Sequence, residues 1–408
     1  MIKASIISIG TELLNGRTVN SNATYMGKQL TEIGVETIRC LMIPDKKNDI
    51  ISSIEFCKKD SEIVLLSGGL GPTNDDITKF VLNDYFGGKL IVNTSELKRL
   101  EELFSSRNIH FSEVNKMQAS YPDVCDIMIN LRGTASGMHF EKEGTHFYCT
   151  PGVPHEMLHL IEEKIIPHIK ENLVISNELK TLTFRCCSYS ESQMFMDIED
   201  LINQNPDLDF AFYPHFLLVD LKVRGSRKSL DIVEVELDKR LNQKMYGRNE
   251  QISLEETVGI LLRKKSFYLS TAESCTGGLI ANKITQISGS SDYFKGSIVS
   301  YSNDIKMSEL NVSEKILNSV GAVSSECVEQ MAKTVKEKFS TNFSVSVSGI
   351  AGPNGGSEDK PVGTVWFGIS SPTETKTITK NLGKGRVAVQ ERAATFALWL
   401  LYNELIKH

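Results

Sequence analysis

Between Phe216 and Lys407 the sequence contains no histidine. A serine or cysteine nucleophile ordinarily draws on an imidazole base, so a Ser-His-Asp triad or a Cys-His pair is excluded within that stretch. Clustered positive charge is also missing. The chain carries 45 Lys and Arg against 51 Asp and Glu, net -6, and no run of Lys and Arg exceeds three residues. Phosphate-backbone recognition needs a basic patch, so no nucleic-acid partner is expected. No apolar run approaches the roughly 20 residues that cross a bilayer, and the opening MIKASIISIG lacks the long apolar region of a signal peptide. A cytoplasmic protein with no membrane partner is expected. The eight cysteines (40, 57, 125, 149, 186, 187, 275 and 327) form no CxxC pair and no closely spaced framework. They read as free thiols in a reducing compartment.

What is present is ordinary globular material: 408 residues, 40% apolar and 24% charged, enough for two or three domains. Residues 1–172 alternate strand and helix patterns. ASIISIG, VETIRCLMI and SEIVLLSGG read as strands. From Asn20 a helix places Ala23, Met26, Leu30 and Ile33 on one face and stops at Gly34, and another closes the segment over 154–172. Such alternation implies a parallel sheet with ligands at the carboxyl ends of its strands. Residues 173–250 read as a small α+β module: two strands (TLTFRCCSYS and FLLVDLKVRG) with a helix from Glu191 to about Asn203 and another after Ser229. Residues 251–408 return to α/β, with strands at SFYLSTAES, FSVSVSGIAG and TVWFGISS and amphipathic helices over 324–340 and at the carboxyl end.

The stretch STAESCTGGLI (270–280) sets Ser274 beside Cys275 where a strand gives way to a helix, with Gly277 and Gly278 following. Free N–H groups and the positive end of a helix there suit an oxyanion or a phosphate. A plain strand-to-helix turn of small residues is the bland alternative. With histidine absent, lysine is the remaining base, since burial lowers its pKa. VSYSNDIK supplies Tyr301 and Lys306. The second strong stretch is SGGLGPTNDDIT (67–78). Gly68, Gly69 and Gly71, with Thr73, form a candidate phosphate cradle, and Asp75 and Asp76 are candidate ligands for a divalent cation. An aspartate-capped tight turn is the alternative.

TAESCTGG, YSNDIK, GAVS (321–324), SGIAGPNGGSEDKPVGTVWFG (348–368) and Arg386 resemble the carboxy-terminal domain of the competence/damage-inducible CinA family, which also occurs alone as nicotinamide mononucleotide deamidase. The resemblance implies a Ser-Lys dyad that hydrolyses the nicotinamide carboxamide without a cofactor. Ser274 is then the nucleophile and Lys306 the base, with Tyr301 and Thr276 beside them. Arg386 is the candidate for the substrate phosphate, its bland reading being a solvated charge at a helix start. Cys275 reads as a packed neighbour. The family commonly shows GDR…VR where this chain has GKGRVAVQ, so Gly385 and Gln390 replace an acid and an arginine.

IGTELLNGRTVNSN (9–22), the 67–78 loop, NLRGTASGM (130–138) and TPGVPHEM (150–157) resemble the family's amino-terminal domain, of molybdopterin-binding fold. That resemblance implies a three-layer domain with metal-dependent ADP-ribose pyrophosphatase activity. Asp45 and Asp76 match the catalytic acidic positions, and Asp75 is a further candidate ligand. Pro44 and Ser136 stand where a glycine and a proline are usual. His155-Glu-Met-Leu-His159 spells HExxH, but it follows PGVP as a helix start and lacks a third ligand, so zinc is not expected. The middle segment resembles a KH-like insertion, and a homodimer is implied. Two alternatives stay open: an amino-terminal domain that binds a pterin or nucleotide without cleaving it, and a non-catalytic competence or DNA-damage accessory.

Overall fold

The computed structural model describes residues 2–73, 75–174, 179–249 and 252–408. They divide into two compact units at residues 177/178, and the expected boundary at 250/251 lies outside the described residues.

In the first unit, alternating faces of short apolar strands build a central sheet. Its strand order is Glu36–Ile43, Lys3–Ile9, Ile63–Ser67, Thr145–Thr150, Gly137–Lys142, Asp126–Met128. The first four are joined in parallel, and Gly137–Lys142 pairs antiparallel with both of its neighbours. Because successive side chains point to opposite faces, Ile6 and Leu65 pack with Met26, Leu30, Met157 and Ile161 on one side. Ile7 and Leu66 pack with Ile50, Ile54, Val81 and Leu82 on the other. This is a three-layer α/β arrangement with both sheet faces covered. Asn20 proves to be the cap of helix Ser21–Glu32, its side chain accepting the Ala23 N–H. The expected closing helix runs from Pro154 to Asn172 with a π turn at Ile161–Ile165, just ahead of Pro167, which has no N–H to donate.

The second unit holds two sheets. The α+β module has four strands rather than the expected two, in the order Asp209–Pro214, Leu218–Ser226, Leu179–Cys187, Met245–Arg248, all antiparallel. The two unforeseen strands are the edges; they are short, one ends in Pro214 and the other contains Gly247, so neither carries a strong strand pattern. Helices Glu191–Gln204 and Arg227–Leu241 cover the sheet through Met194, Ile198, Val233 and Leu237.

The third sheet has the order Phe294–Val299, Leu269–Glu273, Phe343–Gly349, Thr364–Ser370, Thr375–Asn381. The first three strands are parallel. The alternation in FSVSVSG explains its packing. Val345 and Val347 enter the apolar core. Ser344, Ser346 and Ser348 face the opposite way and donate to the carbonyls of Ala332, Val328 and Ala322, at 2.6, 2.5 and 2.7 Å. That row of hydroxyls fixes helix Ser325–Lys338 on its side of the sheet. The long helix Arg386–Leu405 packs on the other side, burying Ala393, Phe396, Ala397 and Leu401. Strands Phe294–Val299 and Thr375–Asn381 again are edges without a clear sequence signal. Among the described residues no helix is long and apolar enough to cross a membrane.

Candidate active site

Strand Leu269–Glu273 ends directly before Ser274, whose N–H donates to the Val347 carbonyl at 3.0 Å. Next to it in the sheet, strand Phe294–Val299 leads through Ser300 to a helix at Asn303–Leu310, capped by Ser302. The first turn of that helix carries Lys306 inward. Its Nζ donates to Ser274 Oγ at 2.9 Å and to the Ser300 carbonyl at 2.6 Å. Lys306 is 1% exposed and Ser274 8%. Burial lowers the lysine pKa, opposed weakly by the nearby Cys327 and Cys275 thiols. The candidate nucleophile and the candidate base are thus brought within hydrogen-bond reach of each other. Cys275 is buried, and burial pushes its thiol up to about 12, so it holds very little thiolate at neutral pH.

The turn departs from expectation in one respect. The helix start at Leu279–Thr285 is not an open cradle of donors, because Glu273 occupies it: the N–H groups of Gly278 and Ile280 reach Oε2 at 3.0 Å each, and Ala281 reaches Oε1 at 2.8 Å. The Gly277 N–H is taken by the Ser274 carbonyl at 3.1 Å. Gly277 and Gly278, at φ 62° and 96°, therefore shape the turn and line the cleft while their N–H groups point inward. The N–H groups of Cys275 and Thr276 have no acceptor among the described residues. Thr276 Oγ1 is buried without a hydrogen-bond partner.

A cleft of about 590 Å³ lies against this turn, lined by Thr276, Gly277, Gly278, Asn282, Gln390 and Glu391 among others. Gln390 donates to the Cys275 carbonyl at 2.9 Å, so this departure from the family pattern ties the last helix to the nucleophile turn. Arg386 opens that helix. It donates to the Gly352 carbonyl at 3.0 Å and to the Tyr301 hydroxyl at 2.6 Å, and Tyr301 is itself 60% exposed. Arg386 and Tyr301 form one unit at the surface of the site, whereas Lys306 is sealed below. Ser300 and Glu273 were not foreseen from the sequence; they contribute a main-chain carbonyl and a buried carboxylate. An acid immediately before a strand-to-helix turn is the only local signal for the second.

In the first unit the expected residues gather at the carboxyl edge of the parallel strands. Asp45 accepts the Thr11 N–H and hydroxyl at 3.0 and 3.1 Å. Asp76 accepts the Thr73 N–H and hydroxyl at 2.9 and 2.5 Å. Asp75 follows the loop as an exposed residue. Gly68 and Gly69 hold φ of 115° and 69°, and a Cβ on them would stand 2.1 Å from the Ile9 carbonyl oxygen and from Thr78 Oγ1, respectively. A Cβ on Gly71 would stand 2.5 Å from Asp76 Oδ2. The glycines are thus required by the loop's own close packing. Asp45 and Asp76 are oxygen donors suited to a hard cation. Among the described residues, however, no group of three or more His, Cys, Asp or Glu side chains is arranged so as to hold a metal ion. A divalent ion here would need phosphate oxygens of a substrate to complete its shell.

The HExxH stretch is structural. Glu156 is buried and accepts from the Asn130 side chain at 2.6 Å, while His155 is exposed. Ser136, the other departure, donates to Glu96 at 2.8 Å and accepts the Asn130 N–H at 2.9 Å. Its hydroxyl completes a buried Glu96–Ser136–Asn130–Glu156 network.

A family model described as "CinA C-terminal domain" matches residues 251–405, and one described as "Probable molybdopterin binding domain" matches residues 5–171. A CinA-like protein of Flavobacterium psychrophilum is 36% identical over 417 residues, covering 100% of this chain and 99% of the relative. A CinA-like protein of Cytophaga hutchinsonii is 37% identical over 392 residues, 93% of this chain and 92% of its own. Among solved structures, the competence/damage inducible protein CihA from Agrobacterium tumefaciens is 37% identical over 38% of this chain and 93% of that chain, with a TM-score of 0.37. Alignment along the full length at such identity settles the family: this chain belongs to the CinA family.

Proposed function

We propose that the carboxy-terminal domain hydrolyses the carboxamide of nicotinamide mononucleotide to nicotinate mononucleotide and ammonia. The observation that carries this reading is the buried 2.9 Å contact between Lys306 Nζ and Ser274 Oγ. Neutral Lys306 takes the Ser274 proton as Oγ attacks the carboxamide carbon. The oxyanion that forms is met by the unengaged N–H groups of Cys275 and Thr276. Lys306 then returns the proton to the leaving nitrogen, ammonia departs, and an acyl-serine remains. Water attacks the ester, again giving a proton to Lys306, and the carboxylate product leaves as Ser274 recovers its own. Arg386 and Tyr301, hydrogen-bonded to each other at the open side, would meet the substrate's phosphate and sugar. The test is ammonia release from nicotinamide mononucleotide by the purified protein; its absence, with no nicotinate nucleotide formed, overturns the reading.

For the amino-terminal unit we propose cleavage of ADP-ribose to AMP and ribose 5-phosphate. Support comes from Asp45 and Asp76 at one sheet edge beside the Gly68–Thr73 loop. A divalent ion, when bound with substrate, would be held by these carboxylates and by phosphate oxygens, and would neutralise charge building on the pyrophosphate. AMP release from ADP-ribose tests it. Binding without cleavage would make the unit a nucleotide or pterin module.

A further inference from the structure

Glu273 is the last residue of strand Leu269–Glu273 and is completely buried. Its carboxylate gathers three backbone N–H groups, from Gly278, Ile280 and Ala281, at 3.0, 3.0 and 2.8 Å. The Ser297 hydroxyl approaches the same carboxylate at 3.4 Å. Its main-chain carbonyl accepts the Ser300 N–H at 2.7 Å, and the Ser300 carbonyl in turn accepts Lys306 Nζ at 2.6 Å. One residue is therefore bonded on one side to the segment beyond the nucleophile and on the other to the segment that holds the base.

We propose that Glu273 is a positioning residue for the Ser274–Lys306 dyad. The turn 274–278 contains two glycines in left-handed conformation, and glycine leaves a free chain many alternatives. Strand pairing fixes the turn at its start. The Glu273 carboxylate fixes it at its end, by supplying acceptors to the donors that a helix start leaves unsatisfied. With both ends held, Ser274 Oγ has one place to go, 2.9 Å from Lys306 Nζ. Glu273 does this without an ion pair: no Lys or Arg pairs with it among the described residues, and the groups that shift Lys306 are burial, Cys327 and Cys275. Its action on the base is geometric. The carboxylate at the helix start also leaves that helix end with no charge to offer an anionic substrate group, which must be met by side chains elsewhere.

The inference rests on the proposed deamidase reading, and its test separates the two. Glu273→Gln keeps the shape, and its oxygen can serve Gly278 and Ile280, but its amide nitrogen faces the Ala281 N–H, donor against donor. For ammonia release from nicotinamide mononucleotide, kcat per folded molecule should fall roughly 10²-fold, the order a small misplacement of a reacting group produces. KM should stay within about threefold, and the ascending limb of the pH profile should keep its midpoint, since geometry and not charge has changed. In parallel, wild type, Ser274→Ala and Glu273→Gln are treated with p-nitrophenyl acetate and the acyl adduct is followed by intact mass. Adduct should form on wild type, be absent from Ser274→Ala and form far more slowly on Glu273→Gln. Should Glu273→Gln not fold, Glu273→Asp, which keeps the charge but is too short to reach all three donors, takes its place with the same expectation. Wild type that acylates but releases no ammonia removes the deamidase reading and leaves positioning to be decided by the adduct rates. Unchanged kcat per folded molecule or unchanged acylation overturns the positioning role, as does a shifted pH midpoint. Wild type inert in both arms overturns both.

Discussion

Lys306 meets Ser274 at 2.9 Å across 32 residues of sequence, inside a site from which water is largely excluded. A buried ammonium with a hydroxyl and a main-chain carbonyl as partners, and no carboxylate, is poised to be neutral more readily than an ordinary lysine.

The first expectation concerns the pair as a unit. Ser274→Ala and Lys306→Met should each cut ammonia release by at least about 10³-fold while the far-ultraviolet circular dichroism stays native. The double variant should be hardly slower than either single one. Residual turnover above a tenth of wild type in Ser274→Ala would remove Ser274 from the chemistry.

Acidity follows from the same burial. The lysine pKa is lowered from its ordinary 10.5, and the base must be neutral to act. kcat/KM should therefore rise with pH along a limb whose midpoint lies below 10.5 and level off above it. The linked stability has the same sign: the folded state binds fewer protons at Lys306 than the unfolded chain, so this contribution grows as pH rises through the lowered value toward 10.5. A rate that falls with rising pH across that range contradicts a neutral-lysine base.

Cys275 offers a control beside the nucleophile. Its thiol, pushed up to about 12, should react slowly with iodoacetamide at pH 7.5. Cys275→Ala should keep at least about a third of wild-type kcat, because only a packed side chain is lost. If Cys275→Ala proves as inactive as Ser274→Ala, the nucleophile has been misassigned.

Away from both sites, His139 and His146 share a hydrogen bond at 3.1 Å, with Asp126 on the other ring nitrogen of His139. His168, Tyr148 and Glu141 complete the surroundings. Burial lowers both histidine pKa values. Their neutral forms are favoured by folding, so stability is fully present above about 6.5, the unfolded value, and is lost as pH falls below it toward the lowered folded values. Thermal unfolding of the amino-terminal unit should shift to lower temperature between pH 6.5 and 5. His146→Gln should flatten that dependence, and an equal slope in the variant would assign the effect elsewhere.

The two proposed activities should separate on chelation. The proposed route to ammonia uses a serine, a lysine and backbone donors, whereas the amino-terminal candidates are carboxylates. EDTA should stop AMP release from ADP-ribose and leave ammonia release within about 20% of its starting rate, and Asp76→Asn should imitate EDTA in the first assay alone. Deamidation that falls with the metal and returns on adding it back contradicts the division.

Local pattern alone determined a good deal of this protein. Alternating strands and helices, the apolar face through Ala23, Met26 and Leu30, and the Val/Ser alternation of 343–349 follow from side-chain periodicity, which is a property of neighbours in sequence. The lack of histidine between His215 and His408 left lysine as the candidate base for Ser274. Tertiary structure decided what depends on partners far apart in the chain. The edge strands Asp209–Pro214 and Thr375–Asn381 pair on one side only, so they need little apolar alternation and leave a faint trace. Gly277 and Gly278 read as open donors for a phosphate until the fold turned their N–H groups inward, two onto Ser274 and Glu273. Arg386 was a free charge until it met Tyr301, 85 residues away. A hydrogen-bonding group declares its chemistry in the sequence, but which partner satisfies it is settled only when the folded chain brings one within reach.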